Sequence, residues 1–392
     1  MTTDAALPTP EHVMNLLRGV IDPELGSDIV ELGMAKGAVV DADGTVHVRI
    51  GLTTAGCPLR AQIQRDIKAR IENLPAVTKV HIDWTELTQE EKAAAMAKAR
   101  WNKAQDAPVT AVPATTRVIM VASGKGGVGK SSISANIAAG LAQRGFTVGV
   151  LDADIWGFSI PRMLGIDGRL GGTVDSEGTK RITPHEKHIG TGLLKVVSMG
   201  FLVDQEETAL MWRGLMLNRA VQHFLEDVQW GEMDYLVIDM PPGTGDVQMG
   251  LARMLPRAEM IIVTSPSKVA QKVAVRVANV GRSTYLRIVG VIENMSSFVN
   301  EEGKVYELFG RGGGEELARD VGVPLLGKVP IDRAVAIGGD DGEPVVFTSG
   351  PAADALNAII DTLVSEAVPP IAMESCSARM LDAVMAALDA HD

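Results

Sequence analysis

Eight consecutive residues, Gly124-Lys-Gly-Gly-Val-Gly-Lys-Ser131, have the types and spacing needed to wrap a chain of phosphates. They fit the loop Gly-x4-Gly-Lys-Ser. Gly124, Gly126, Gly127 and Gly129 let the backbone pass close to an anion, so that N–H groups, that of Val128 among them, point at phosphate oxygens. Lys130 reaches the β- and γ-phosphates, and the Ser131 hydroxyl is a ligand for Mg²⁺. Lys125 is a second cation for the γ-phosphoryl group, in its own site or across a dimer; a cation supplied in trans is worth about 10³–10⁵ in rate. The chemistry predicted is binding of ATP with Mg²⁺ and phosphoryl transfer.

Carboxylates follow at spacings that suit the same crevice. Residues 146–151 are an apolar run ending in Asp152-Ala-Asp154. In an open α/β sheet, a carboxylate at the C-terminal end of a strand faces the ligand. Asp154 is the candidate to orient or deprotonate an attacking water, and Asp152 to hold Mg²⁺ through water. Residues 235–240 are a second apolar run; it carries Asp239, also a Mg²⁺ candidate, and leads into Pro241-Pro-Gly-Thr-Gly-Asp246. The Gly243 N–H can sense the γ-phosphate, and Gly243 and Gly245 let the segment move when that group leaves. Any one of these aspartates alone reads more readily as a cap or turn residue than as part of a site. Together, on successive strands after a phosphate loop, they read as a site. The strand ends Val291-Ile-Glu-Asn294 and Val329-Pro-Ile-Asp332 lie on the same side, and Asn294 is the candidate reader of the adenine edge.

These groups require a particular scaffold. Residues 117–122 read as a buried strand entering the loop, and 132–144 as the helix leaving it, with Ile133, Ile137, Ala138 and Leu141 on one face. Strands and helices alternate from 117 to about 366, which predicts a doubly wound, mainly parallel α/β sheet. A small α+β domain is expected over residues 1–86, with helices at 11–20 and 58–73 and strands at 46–52 and 77–84. Residues 87–116 read as a connector, first helical, then rich in proline and threonine. Residues 367–392 read as a tail with a short amphipathic helix at 377–388.

A net charge of −12 over 392 residues argues against nucleic acid as a partner. The first ten residues are polar, without the apolar stretch of a signal peptide, and no apolar run is long enough to span a bilayer. Cys57 and Cys376 are far apart and do not suggest a disulfide framework. These features point to the cytoplasm and away from a membrane. His185 and His188 could share a helix face, but Pro184 and the polar surroundings predict a loop and no metal site.

The lysine pair within the loop resembles the deviant P-loop ATPases, the class of MinD and ParA. Four runs narrow the resemblance: Asp152-Ala-Asp-Ile-Trp-Gly-Phe-Ser-Ile-Pro161, Met211-Trp-Arg-Gly214, Asp239-Met-Pro-Pro-Gly-Thr-Gly-Asp246 and Glu293-Asn-Met-Ser296. Together they closely resemble the Mrp/ApbC family. Asp22-Pro-Glu-Leu25, Asp28-Ile-Val-Glu-Leu-Gly33 and Leu52-Thr-Thr-Ala-Gly-Cys-Pro-Leu59 are similar to the small domain of iron–sulfur assembly systems. The resemblance implies a homodimeric ATPase, in which Lys125 contacts the partner's phosphates. It also implies that the protein carries an iron–sulfur cluster and hands it to apo-proteins, working with assembly factors.

One departure stands out. Members commonly hold the bridging cluster with a Cys-x-x-Cys pair shortly after Asn-Met-Ser; counting back from Phe309-Gly310, those positions are Val299 and Glu302. Clusters are held mainly by cysteine. Cys57, at an expected helix start, and Cys376, in the tail, are the remaining candidates for a cluster or thiol site, though free cysteine is also among the most buried residue types. An adaptor that switches with nucleotide and holds no cluster is the alternative.

Overall fold

The Thr9 side chain accepts the His12 N–H (3.1 Å) and Pro10 opens the first turn, which fixes the start of α1 (Pro10–Leu17). Val13 and Leu17 of α1 are buried beside β1 (Ala35–Val40), which pairs antiparallel with β2 (Thr45–Leu52). Ile63, Ile67 and Ile71 form one buried stripe on α2 (Arg60–Ile71), and β3 (Lys79–Glu86) completes a sheet of order β1-β2-β3. Next comes α3 (Gln89–Gln105), tied back to this unit by Lys98–Glu31 (2.9 Å) and Lys36–Glu91 (2.8 Å), with Ala95 and Ala99 buried. Helical periodicity in an Ala- and Lys-rich run does not reveal which unit holds it, so the reading of this stretch as a connector missed those ties.

The computed structural model describes residues 7–22, 25–53, 60–105, 107–154, 157–174, 178–202, 214–243, 245–300 and 302–371, in two units, Met1–Ala107 and Pro108–Asp392. Cys57, Trp156, Met211-Trp-Arg213, Cys376 and the helix expected at 377–388 lie outside the described residues.

The second unit begins its sheet with β4 (Arg117–Ser123), followed by α4 (Lys130–Gln143), β5 (Thr147–Asp152) and the short α5 (Ile160–Met163). A two-stranded ribbon of β6 (Gly171–Val174) and β7 (Lys180–Thr183) precedes β8 (His185–Ile189) and β9 (Gly192–Ser198). Then come α6 (Gly214–Glu226), β10 (Tyr235–Asp239), α7 (Asp246–Met254), β11 (Glu259–Thr264), α8 (Lys268–Ser283) and β12 (Arg287–Val299). The chain continues through β13 (Val305–Tyr306), α9 (Gly313–Val321), β14 (Leu325–Ile331), α10 (Arg333–Asp341) and α11 (Pro351–Thr362).

The strand order is β14-β12-β11-β4-β10-β5-β9-β8, parallel except for β8 at one edge; β13 pairs antiparallel with the end of β12. The doubly wound α/β class expected from the alternation is the one found. Both faces are covered, so strand residues are apolar in both phases. Ile119, Val121 and Val237 join one core with α4 and α11, whereas Met120, Ala122 and Ile238 join the other with α6, α7, α8 and α9. His185 and His188 do not lie in a loop. They sit on the edge strand β8, where a preceding proline is tolerated because that side needs no ladder donor.

Candidate nucleotide site

The chain reverses its direction of winding at β4, whose neighbours are β10 and β11, and the predicted residues gather at that end of the sheet. Register pairs Asp239 with Asp152 and with Val121, so three strand ends converge beside the loop that follows Ser123. The loop is held from below. Ser123 Oγ donates to the Lys125 carbonyl (3.1 Å), and Asn294 Nδ2 donates to the Val128 carbonyl (2.9 Å). Gly129 takes φ +79° directly before α4. Gly124 lies against the backbone of α8: a Cβ there would come within 2.5 Å of the Ala274 nitrogen and 2.6 Å of the Val273 carbonyl carbon. Gly124→Ala is therefore expected to displace the loop and weaken nucleotide binding at least about tenfold with the fold retained, checked by calorimetric titration and circular dichroism.

Lys130 is 6 % exposed and sits among carboxylates. Its Nζ lies 2.8 Å from Asp239 Oδ2 and 3.5 Å from Asp154 Oδ2. Asp239, fully buried, accepts Ser131 Oγ on Oδ2 (2.6 Å) and Ser134 Oγ on Oδ1 (2.6 Å). Asp152 is also fully buried, and its oxygens accept the N–H groups of Asp154 and Ser159 (both 3.2 Å) and the hydroxyl of Ser198 (3.1 Å). Asp239 is thus the carboxylate brought directly to Ser131, while Asp152 pins the chain around Asp154. Gly126, Gly127, Gly243 and Gly245 border open space: among the described residues, no atom beyond their own chain neighbours lies within 4 Å of an added Cβ. Gly243, at φ +91°, donates its N–H to the Ser123 carbonyl (2.9 Å). Lys125 is exposed at the lip of this cleft.

The charge balance has consequences. Burial and then the charge of Asp239 push the Asp152 carboxyl up to about 7, against the opposing pull of Lys130. Asp154 is also raised, again chiefly by burial. In the folded chain Asp152 binds its proton more tightly than in the unfolded one, so stability is greatest below the unfolded pKa and falls as pH rises towards 7. Chemical denaturation of the nucleotide-free protein from pH 4.5 to 7.5 is expected to show that decline, on the order of 2–4 kcal/mol, flattened in Asp152→Asn. Asp239 and Asp154 facing one ammonium also leave a negative excess beside the Ser131 hydroxyl. A hard divalent cation matches that excess and those oxygen donors. Among the described residues no group of three or more His, Cys, Asp or Glu forms a metal cage. Mg²⁺ bound with substrate phosphates needs none.

The P-loop, the strand-end carboxylates and the open glycine-lined cleft agree with a match to known sequences. Residues 114–364 fit the family model of the NUBPL iron-transfer P-loop NTPases, and residues 10–82 that of an iron–sulfur cluster assembly protein. The chain belongs to the NUBPL-type P-loop NTPases. Its relatives include proteins named iron–sulfur cluster carrier protein from Mycobacterium tuberculosis (42 % identical, 86 % of this chain and 88 % of the relative) and from Synechocystis (39 % identical, 88 % and 94 %). A nucleotide-binding protein of Archaeoglobus fulgidus, solved in complex with ADP, is 33 % identical, with a TM-score of 0.50 over 59 % of this chain and 89 % of that one.

In this NUBPL-type NTPase the sequence reading overlooked Ser134, Ser198 and Ser123, which orient the aspartates and the loop. Ser134 carried a usable signal, since it lies four residues after Lys130 and so on the same face of α4. Ser198 did not, because only the pairing of β9 with β5 brings it to Asp152. Val299 and Glu302 fall at the hairpin of β12 and β13, where Val299 pairs with Val305 and is 41 % exposed. They border a groove of about 570 Å³ shared with Pro330, Asp332 and Arg333. No helix among the described residues is long and apolar enough to cross a membrane.

Proposed function

We propose that the chain is an ATP-hydrolysing carrier of iron–sulfur clusters that acts as a nucleotide-switched homodimer and delivers clusters to apo-proteins. The observation that carries the nucleotide half is the buried Lys130, held by Asp239 and Asp154 beside an open, glycine-lined cleft. ATP draws Lys130 from those carboxylates onto the β- and γ-phosphates, while the N–H groups of residues 126–131 surround the phosphate chain. Mg²⁺ would be held by Ser131, backed by Asp239 and Asp152 through water, and would supply charge neutralisation to the phosphates. Asp154, freed from Lys130, orients the attacking water. The Gly243 N–H leaves the Ser123 carbonyl for the γ-phosphate, and Lys125 answers the phosphates of the second subunit. Asn294 holds the P-loop and borders the adenine.

The cluster half is supported by the family and by the relatives' names, with Cys57 and Cys376 as the chain's own thiols. The hairpin at Val299 and Glu302 favours a second reading, an adaptor that docks assembly partners and holds no cluster itself. Assembly state tests the switch common to both. In sedimentation velocity, Asp154→Ala with MgATP is expected to run at twice the monomer mass and to return to monomer in ADP. A single mass in both nucleotides would refute the switched dimer.

A further inference from the structure

The two oxygens of the fully buried Asp239 are divided between different partners. Oδ2 meets Lys130 Nζ (2.8 Å) and accepts the Ser131 hydroxyl (2.6 Å), the two side chains that act on phosphate and metal in the reading above. Oδ1 accepts the hydroxyl of Ser134 (2.6 Å), which is itself fully buried and lies one turn beyond Lys130 on α4.

Ser134 has a second acceptor within reach. Its Oγ is 3.0 Å from the Lys130 carbonyl, the contact four residues back that a buried serine makes inside a helix. A hydroxyl has only one proton to donate. The carboxylate contact is the shorter of the two and is charge-assisted, so it takes that proton. The hydroxyl therefore fixes the carboxylate, and does not merely satisfy itself within the helix.

When Lys130 moves to the phosphates, Asp239 loses the ammonium at Oδ2 and keeps its two serine donors. An aspartate carboxylate turns in a broad, shallow well about its last bond. With Oδ1 tethered to α4, the acceptor freed by the ammonium stays at Oδ2, on the side of Ser131. Without the tether, Asp239 keeps a single hydroxyl donor and is free to turn away from Ser131.

We propose that Ser134 is a positioning residue for the metal: its hydroxyl holds Asp239 so that Oδ2 supports Mg²⁺ at Ser131, and so sets how strongly Mg²⁺ tightens the binding of ATP. The inference rests on the nucleotide-site reading above, and Ser134 acts through Asp239.

The test uses the full-length chain with Ser134→Ala, Ser134→Cys and Ser134→Thr. Calorimetry with a non-hydrolysable ATP analogue, in EDTA and in saturating Mg²⁺, gives the factor by which Mg²⁺ tightens binding. Ser134→Ala is expected to cut that factor about tenfold or more, the usual worth of a group that orients a metal's ligand. Its affinity in EDTA is expected to stay within about twofold of wild type. Ser134→Cys keeps the volume and offers only a weak donor; it is expected to lose the factor likewise, and decides the matter if Ser134→Ala fails to fold in a circular-dichroism melt. Ser134→Thr keeps the hydroxyl and, where it folds, is expected to hold the factor within about threefold of wild type. An unchanged factor in the Ala and Cys variants would overturn the proposal. So would equal losses in EDTA and in Mg²⁺, the mark of a role confined to packing, or a folded Ser134→Thr as impaired as Ser134→Ala. If Mg²⁺ fails to tighten binding to the wild type, the metal reading fails and this inference falls with it. If the wild type responds and the Ala and Cys variants match it, this inference alone fails.

Discussion

Lys130→Ala is expected to abolish ATP turnover and to lower the stability of the nucleotide-free protein by about 3–5 kcal/mol. Both effects have one source. Lys130 is 6 % exposed and, among the described residues, supplies the cation within 4 Å of Asp239 and Asp154. Removing it leaves a fully buried carboxylate hydrogen-bonded to Ser131 and Ser134 but without its counter-ion. It also removes the charge that meets the β- and γ-phosphates. Steady-state hydrolysis and urea denaturation would report the two losses separately. Turnover equal to the wild type's would refute the assignment of Lys130, and unchanged stability would refute its structural role. Partial recovery of stability below pH 7 is expected in this variant, since protonated aspartates no longer need the lysine.

Asp154→Ala separates binding from chemistry. MgATP affinity is expected to stay within about threefold of wild type, while the hydrolysis rate falls about 10²–10⁴-fold, the usual worth of a positioned general base. Asp154 is the least buried of the three aspartates, and the ion pair it makes with Lys130, at 3.5 Å, is the longer of that lysine's two. ATP should therefore release it without disturbing Asp239. Calorimetric titration beside a phosphate-release assay would check this; loss of both quantities together would count against a water-orienting role.

The parts of the site legible in the sequence are those fixed by local spacing. The P-loop is contiguous, and Asp152, Asp154 and Asp239 end apolar runs, so strand direction alone sends them to one crevice. What could not be read depends on pairing between distant strands and helices. Asp239 rather than Asp152 meets Ser131, because Asp152 is enclosed by Ser198 on β9 and by the N–H of Ser159. Asn294 braces the P-loop through the Val128 carbonyl, a contact between residues far apart in sequence. The edge strand at His185 was hidden by its polar residues and by Pro184, because an edge needs only one apolar face.

Cluster carriage is the claim most exposed to disproof, because the hairpin has Val299 and Glu302 where the resemblance calls for thiols. The direct measurement is anaerobic reconstitution with iron and sulfide, followed by desalting, iron and sulfide assays and the visible spectrum. Wild type would run beside Cys57→Ala and Cys376→Ala. The carrier account predicts a stable cluster near one per dimer, lost when either cysteine is replaced. Wild type that retains no iron or sulfide while hydrolysing ATP would contradict it and leave a nucleotide-switched adaptor whose partner holds the cluster.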